Sequence, residues 1–244
     1  MRLKVGVFLN AVADPSKVTF DRRSGKINII DAPLIMNPPD RSAIQVALNT
    51  NLETYAFAIG KQKAEPVLRE ALALGIGNVC LIESDSFIND ISYASLLARA
   101  FSDIGIDALF FRDTTIDYGY TGIAEATATK LGASFIGNVS SAEINNGKCI
   151  VTKIHRGKSF KIEVPIPCIS TASHQETKMY HKPADIRDAY QKEIRKIRFE
   201  TEQKTGLTIR KFTQVETKKP EPVILKGDPK QIVVDAMKLM KRMM

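Results

Sequence analysis

The sequence predicts an α/β fold: an open, mostly parallel sheet with helices on both faces, followed by a C-terminal arm. Three observations lead there. Short apolar runs recur through the first 140 residues, each is followed by a segment with apolar residues at helical spacing, and Gly or Pro punctuates the joins. Repeated strand–helix–strand units of this size imply parallel pairing with right-handed crossovers.

The elements follow in order. Leu3–Leu9 is continuously apolar, as a strand buried on both faces must be. Lys17–Ile30 carries Ser24-Gly25 between two alternating segments and reads as a hairpin. Asn37-Pro38-Pro39-Asp40 opens a helix with Ala43, Ile44, Ala47 and Leu48 along one face, a cap-capable residue beside Pro marking its start. Strand Thr54–Ile59 ends at Gly60. The next helix aligns Ala64, Val67, Leu68, Ala71 and Leu72 before Gly75 stops it. Strand Asn78–Ile82 leads to a helix from about Ser92 to Ile104, packed through Leu96, Leu97, Ala100 and Phe101. Strand Asp107–Phe111 is followed by a loop, Ile116–Gly122, and by a helix through Ile123, Ala124, Thr127, Ala128 and Leu131 that Gly132 ends. Ala133–Val139 completes the set.

Beyond residue 140 the pattern changes to hairpins, near 141–165. Asn145-Asn146-Gly147 separates Ala142–Ile144 from Cys149–Ile154, and Arg156-Gly157-Lys158 turns the chain into Lys161–Val164. A last domain helix is predicted from about Pro183 to Phe199, with Ile186, Ala189, Tyr190, Ile194 and Ile197 on its apolar face. The α/β domain is thus placed at 1–199. From 200 to 244 the chain reads as an extended basic arm: Gly206, a Lys- and Pro-rich stretch (KKPEP), then an amphipathic helix, Asp228–Met244, with Ile232, Val233, Ala236, Met237 and Met240 on one side.

Composition excludes several classes. Hydrophobic residues make up 44% and charged residues 25%, ordinary for a globular chain. No apolar run approaches the roughly 20 residues that span a bilayer, and the N-terminus runs straight into a strand, so a cytoplasmic protein is expected. The net charge of +8 looks like a nucleic-acid signal until it is located. Residues 1–177 are neutral, and residues 178–244 hold 17 Lys and Arg against 9 Asp and Glu. Those lysines lack interleaved aromatics and read as a solvated face, so no nucleic-acid partner is expected. Cys80, Cys149 and Cys168 are far apart in apolar stretches and read as buried thiols rather than disulfide or zinc ligands. His155, His174 and His181 show no metal-ligand spacing. Met237, Met240, Met243 and Met244 read as a packing surface, of a kind that also suits partners. No nucleophile–base pair, Walker loop or GxGxxG occurs, and Gly75-Ile76-Gly77 reads as a helix stop. Residue chemistry alone leaves a nucleotide-sized cleft with no catalytic group. The loops after Leu9, Ile59 and Phe111 would line it, with Asn37–Asp40 as a fourth wall, because ligands of such sheets bind at the carboxyl ends of the strands.

Several segments resemble the electron-transfer flavoprotein β (small) subunit. Met36-Asn37-Pro38-Pro39-Asp40-Arg41-Ser42-Ala43-Ile44 is similar to its Met-Asn-Pro segment, and Glu65–Gly75 to its "R-x-A-L-A-M-G" helix. Ile116-Asp117 with Thr121-Gly122 resembles its phosphate-side loop. Pro167–Ala172 resembles its "P-A-V-V-T-A" strand, and Ile186, Ala189 and Ile194 keep the spacing of a later helix. The segments come in the family's order over nearly the whole chain.

The resemblance implies a Rossmann-like adenine-nucleotide-binding fold and an electron carrier without its own catalytic residues. It implies a heterodimer with an FAD-binding large (α) subunit, passing electrons from dehydrogenases to an acceptor. The redox FAD would lie mainly in the partner, and this chain would hold AMP, or a second FAD as in electron-bifurcating members. Cofactor contacts would fall on Phe8, Asn37, Pro38, Pro39, Asp40, Ile59, Arg112, Asp117, Tyr118, Gly119, Tyr120 and Thr121. Helix starts at Asn37–Asp40 and Thr121-Gly122 would present free N–H groups to a phosphate. The alternative is a nucleotide-binding regulatory or structural module of the same fold without redox duty. This sequence also departs from the family. The 116–121 loop is about two residues shorter, Asn10 stands for a lysine, and the segment before Tyr180 (173–179) contains no leucine. Arg112 stands for a glycine: it would clamp a phosphate, fill the space the glycine leaves, or else turn to solvent or pair with Asp113 or Asp117.

Overall fold

The structure, a computed structural model, describes residues 2–21, 23–24, 26–28, 32–84, 89–174, 179–199 and 223–243. In chain order they form β1 (Lys4–Phe8), β2 (Ala11–Ala13), β3 (Thr19–Asp21), β4 (Lys26–Asn28), β5 (Leu34–Met36), α1 (Asp40–Asn49), β6 (Glu53–Gly60), α2 (Glu65–Ala73) and β7 (Asn78–Glu83). Then come α3 (Asp90–Ile104), β8 (Ala108–Phe111), β9 (Thr114–Thr115), β10 (Gly119–Tyr120), α4 (Ile123–Leu131), β11 (Ser134–Asn145), β12 (Lys148–His155), β13 (Lys158–Pro165) and β14 (Cys168–Ala172). The last elements are α5 (Pro183–Gln191), β15 (Arg195–Arg198) and α6 (Pro229–Met243).

Nine strands form one sheet in the order β13-β12-β11-β14-β8-β1-β6-β7-β15. From β11 through β15 all neighbours are parallel, and only β12 and β13 are antiparallel additions at one edge. The alternation along β1 shows how the core divides. Val5, Val7 and Leu9 face the cluster that holds α1, α2 and Ala189 of α5, whereas Phe8 faces the cluster of α3 and α4. Both clusters are fully buried at their centres, through Ile44, Leu68 and Phe110 on one side and Phe57, Leu97 and Phe111 on the other. Burying each such side chain contributes roughly 1.5–3 kcal/mol, so the two faces together define the domain. Helix ends follow local chemistry: Asn89 caps α3 by accepting the Ser92 N–H at 2.9 Å. Gly105 and Gly132 close α3 and α4 in the left-handed conformation, at φ 73° and 59°.

The described residues fall in two compact units, 1–210 and 211–244, whose division lies in a stretch outside the described set, as do Gly206 and the KKPEP segment. In the second unit α6 forms where the hydrophobic spacing expects it, and Val233, Met237 and Met240 are exposed. Gly25 of the first hairpin turn also lies outside the described residues, but β3 and β4 pair antiparallel around it. The Asn146-Gly147 and Arg156-Gly157 turns carry positive φ at both positions, 50° and 76°, then 50° and 74°, as tight hairpins require.

Three expectations are corrected. Pro183–Phe199 is not one helix: α5 stops at Gln191 and the chain re-enters the sheet as β15, parallel to β7. Residues three apart share a helix face but lie on opposite faces of a strand. Here Ile194 is buried with the α1/α2 cluster while Ile197 packs with the α3/α4 cluster. The predicted apolar stripe is therefore divided between two cores, and Ile186 and Tyr190 stay exposed. The Arg69 guanidinium closes α5 by donating to the carbonyls of Ala189 (2.7 Å) and Lys192. Secondly, Ala133–Val139 and Ala142–Ile144 belong to one strand, β11, with a shift of register after Ile136 that lets it pair β14 on one side and β12 on the other. Thirdly, the segment 116–122 is not simply a loop, since β9 and β10 make a small hairpin there.

Candidate functional site

Strand order reverses direction at β1: β6 and β7 lie on one side and β8 and β14 on the other. In an open parallel sheet the ligand crevice lies outside the carboxyl ends of the two strands at that switch point, here β1 and β8. The loops that leave these strands are Leu9-Asn10 and Arg112–Gly122, and the Asn37–Asp40 turn ahead of α1 packs between them.

A buried polar knot joins the three. Asp40 is fully buried. Its Oδ2 accepts the Asn10 backbone N–H at 2.6 Å and the Asn10 amide at 3.3 Å, and its Oδ1 accepts the Asn37 amide at 2.6 Å. The same Asn37 amide donates to the Thr114 carbonyl at 3.0 Å, and Asn37 Oδ1 accepts the Ile116 N–H at 3.2 Å. Asn37 N–H returns to the Asn10 carbonyl at 2.9 Å. Burial pushes the Asp40 carboxyl up to about 7, against the pull of the Asn10 and Asn37 bonds and of the Arg112 charge.

Arg112 leaves β8 and turns inward, with 9% of its surface exposed. Its guanidinium donates to the Ala172 carbonyl at the end of β14 and to Thr114 Oγ1 at 3.2 Å. The Asp113 carboxylate stands 3.8 Å away. Arg112 Nε is buried and makes no hydrogen bond with the described residues. The Arg112 side chain thus lies inward beside β14, with Asp113 at its edge.

The expected free amides are engaged. Asp40, Arg41 and Ser42 N–H groups bond the carbonyls of Asn37, Pro38 and Pro39 at 2.9, 3.4 and 3.1 Å, so the start of α1 closes on itself. That start has Pro39 in the capping position and no side-chain cap, because Asn37 and Asp40 turn into the knot. At α4 the Gly122 N–H bonds the Asp90 carboxylate at 2.9 Å, and Thr121 N–H bonds the Asp113 carbonyl at 2.8 Å. Tyr118 N–H bonds Thr115 Oγ1 and Asp117 Oδ1 at 3.2 and 2.9 Å.

The sequence-derived residues therefore divide. Asn37, Asp40, Arg112 and Thr121 are all buried, and Asn37, Asp40 and Arg112 come together in the knot. Pro38 is exposed and Pro39 half-buried at the rim, and Asp117, Tyr118, Gly119 and Tyr120 form an exposed hairpin tip. Phe8 and Ile59 are core residues: the Phe8 ring sits 5.6 Å from Phe111 and 6.5 Å from Tyr93. Asn10 stands out in the sequence only as a departure from the family, nothing in the pattern marks Thr114, and Asp90 sits 32 residues before Gly122, too far for any local pattern to connect them. The three cysteines are buried and free, and no metal-ligating cluster is present among the described residues.

Comparison with known proteins bears on what this architecture is. The family model described as "Electron transfer flavoprotein domain" matches residues 27–201, which include every element from β5 to β15. The chain is 27% identical over 174 residues to the electron transfer flavoprotein subunit beta of Syntrophomonas wolfei, covering 69% of each chain. It is 25% identical over 201 residues to subunit CarD of the caffeyl-CoA reductase–Etf complex of Acetobacterium woodii, covering 79% of this chain and 77% of that one. The Bacillus subtilis electron transfer flavoprotein subunit beta is 28% identical over 169 residues, covering 64% and 66%. With every strand of its main sheet but β1 inside the match, the chain belongs to the electron transfer flavoprotein family, as a diverged relative of its β subunits.

Proposed function

We propose that the chain works as the β-type subunit of a cytoplasmic heterodimer. It completes the FAD cleft of a larger α subunit and relays electrons from dehydrogenases to an acceptor, with no catalytic residues of its own. The observation that carries this reading is the family match over residues 27–201, from β5 to β15. A subunit's role also suits the relative CarD, which is named as one subunit of a reductase–Etf complex. Among the described residues no helix is long and apolar enough to cross a membrane. The exposed apolar side chains of α6, Val233, Met237 and Met240, supply a surface for a partner.

Purification of the tagged chain from its own cells tests the reading. The expected product is a yellow heterodimer with a larger subunit, whose flavin is reduced by a dehydrogenase substrate system and reoxidised by an acceptor. A colourless chain that purifies alone would overturn it.

A further inference from the structure

We infer that the nucleotide crevice of this subunit is closed from within by its own side chains, so that it takes neither AMP nor a second FAD. The inference rests on the β-subunit reading above. A phosphate at the switch point needs backbone or side-chain donors that have no other partner, and it needs a positive local field.

Amides at the start of α1 and four in the loop after β8 are engaged, and the buried Arg112 Nε, which has no partner among the described residues, lies inside the fold. The first-turn amides of α1 bond Asn37, Pro38 and Pro39. In the loop after β8, the Ile116, Tyr118, Thr121 and Gly122 amides bond Asn37 Oδ1, Thr115 and Asp117 side chains, the Asp113 carbonyl and the Asp90 carboxylate. The antiparallel pairing of Thr114-Thr115 with Gly119-Tyr120 folds the shortened loop onto itself. A loop pinned as a hairpin cannot also wrap a phosphate with the same amides.

The field is also wrong for a phosphate. At the start of α4, where a helix favours an anion, the Asp90 carboxylate already sits 2.9 Å from Gly122 N. Asp113 and Asp117 flank the same loop, and Asp40 forms the floor. Arg112 stands near Asp40 and Asp113, and its terminal nitrogens are held by Ala172 and Thr114. Releasing it toward a ligand would leave the Ala172 carbonyl without this donor at the buried end of β14.

The test uses the heterodimer obtained by co-expression with its flavin-bearing large subunit. Acid extraction followed by mass spectrometry is expected to return one FAD per heterodimer and no AMP. Equilibrium dialysis of that complex against AMP is expected to show no saturable binding at millimolar concentration. Stoichiometric AMP, a second FAD, or saturable AMP binding overturns the inference. If Arg112→Met then weakens that binding tenfold or more, the guanidinium is a phosphate anchor instead. Should no flavin-bearing partner assemble, it is the β-subunit reading that fails. Dialysis of the full-length chain alone against AMP then decides the crevice by the same two outcomes.

Discussion

Replacing Asp40 by asparagine tests the buried knot through its pH dependence. In the folded chain the Asp40 carboxyl is raised from 3.8 to about 7, chiefly by burial. A folded-state value above the unfolded one means that the folded protein binds the proton more tightly, so stability is greatest below the unfolded value and declines as pH rises through the window. At about 1.4 kcal/mol for each unit, the charge on Asp40 costs at most about 4 kcal/mol above pH 7. The Asp40→Asn variant carries no charge at this position and so lacks this slope. Its side chain does, however, present an NH₂ group to donors, because Asn10 N–H and the Asn37 amide both point at the carboxylate. Asn37 cannot flip to compensate without breaking its bonds to Thr114 and Ile116. That mismatch costs about 1–3 kcal/mol at every pH. Urea unfolding of both proteins at about pH 5 and about pH 8 is the assay. The wild type is expected to match or modestly exceed the variant at the lower pH, where about 1.7 kcal/mol of the charge cost is already present. Its advantage should shrink or reverse at the higher pH. A difference between the two proteins that does not change with pH would refute the reasoning.

Other perturbations follow from packing. A Cβ on Gly6 would stand 2.7 Å from Leu109 Cδ1 and 2.9 Å from Phe57 Cε2, both fully buried. Gly6→Ala should therefore destabilise by about 1–3 kcal/mol, lowering the melting temperature by about 2–4 °C for each kcal/mol; an unchanged melting curve would contradict this. Arg69→Met removes the donor to the Ala189 and Lys192 carbonyls and the guanidinium over the Tyr190 ring at 5.6 Å. Amides of α5 should exchange faster with solvent while those of β1 do not, and equal protection in both proteins would count against the brace. A chain ended after Arg210 keeps the first compact unit, and is expected to retain its circular dichroism while losing the large subunit in co-purification. Retained heterodimer would show that α6 is not the docking element.

The local chemistry of the chain was enough to place most elements. Continuous apolar runs marked β1 and β8 because strands covered on both faces need nothing else, and helical spacing marked α2 and α4 because one stripe meets one core. Asn146-Gly147 specified its hairpin because a backbone with φ above zero selects those residues. The candidate site was legible as a set of loops, since the carboxyl ends of strands follow from strand order. Its inner arrangement was not. Whether Ile194 and Ile197 share a helix face or straddle a sheet depended on β7 offering an open edge, which lies far away in sequence. That Arg112 reaches the Ala172 carbonyl depended on where β14 ends, 60 residues later. Asp90 meets Gly122 only because α3 and α4 pack side by side. Sequence patterns report period and turn chemistry, which are local. Hydrogen-bond partners of buried polar groups are set by the assembled sheet, because each donor takes whichever acceptor the packed fold brings within reach.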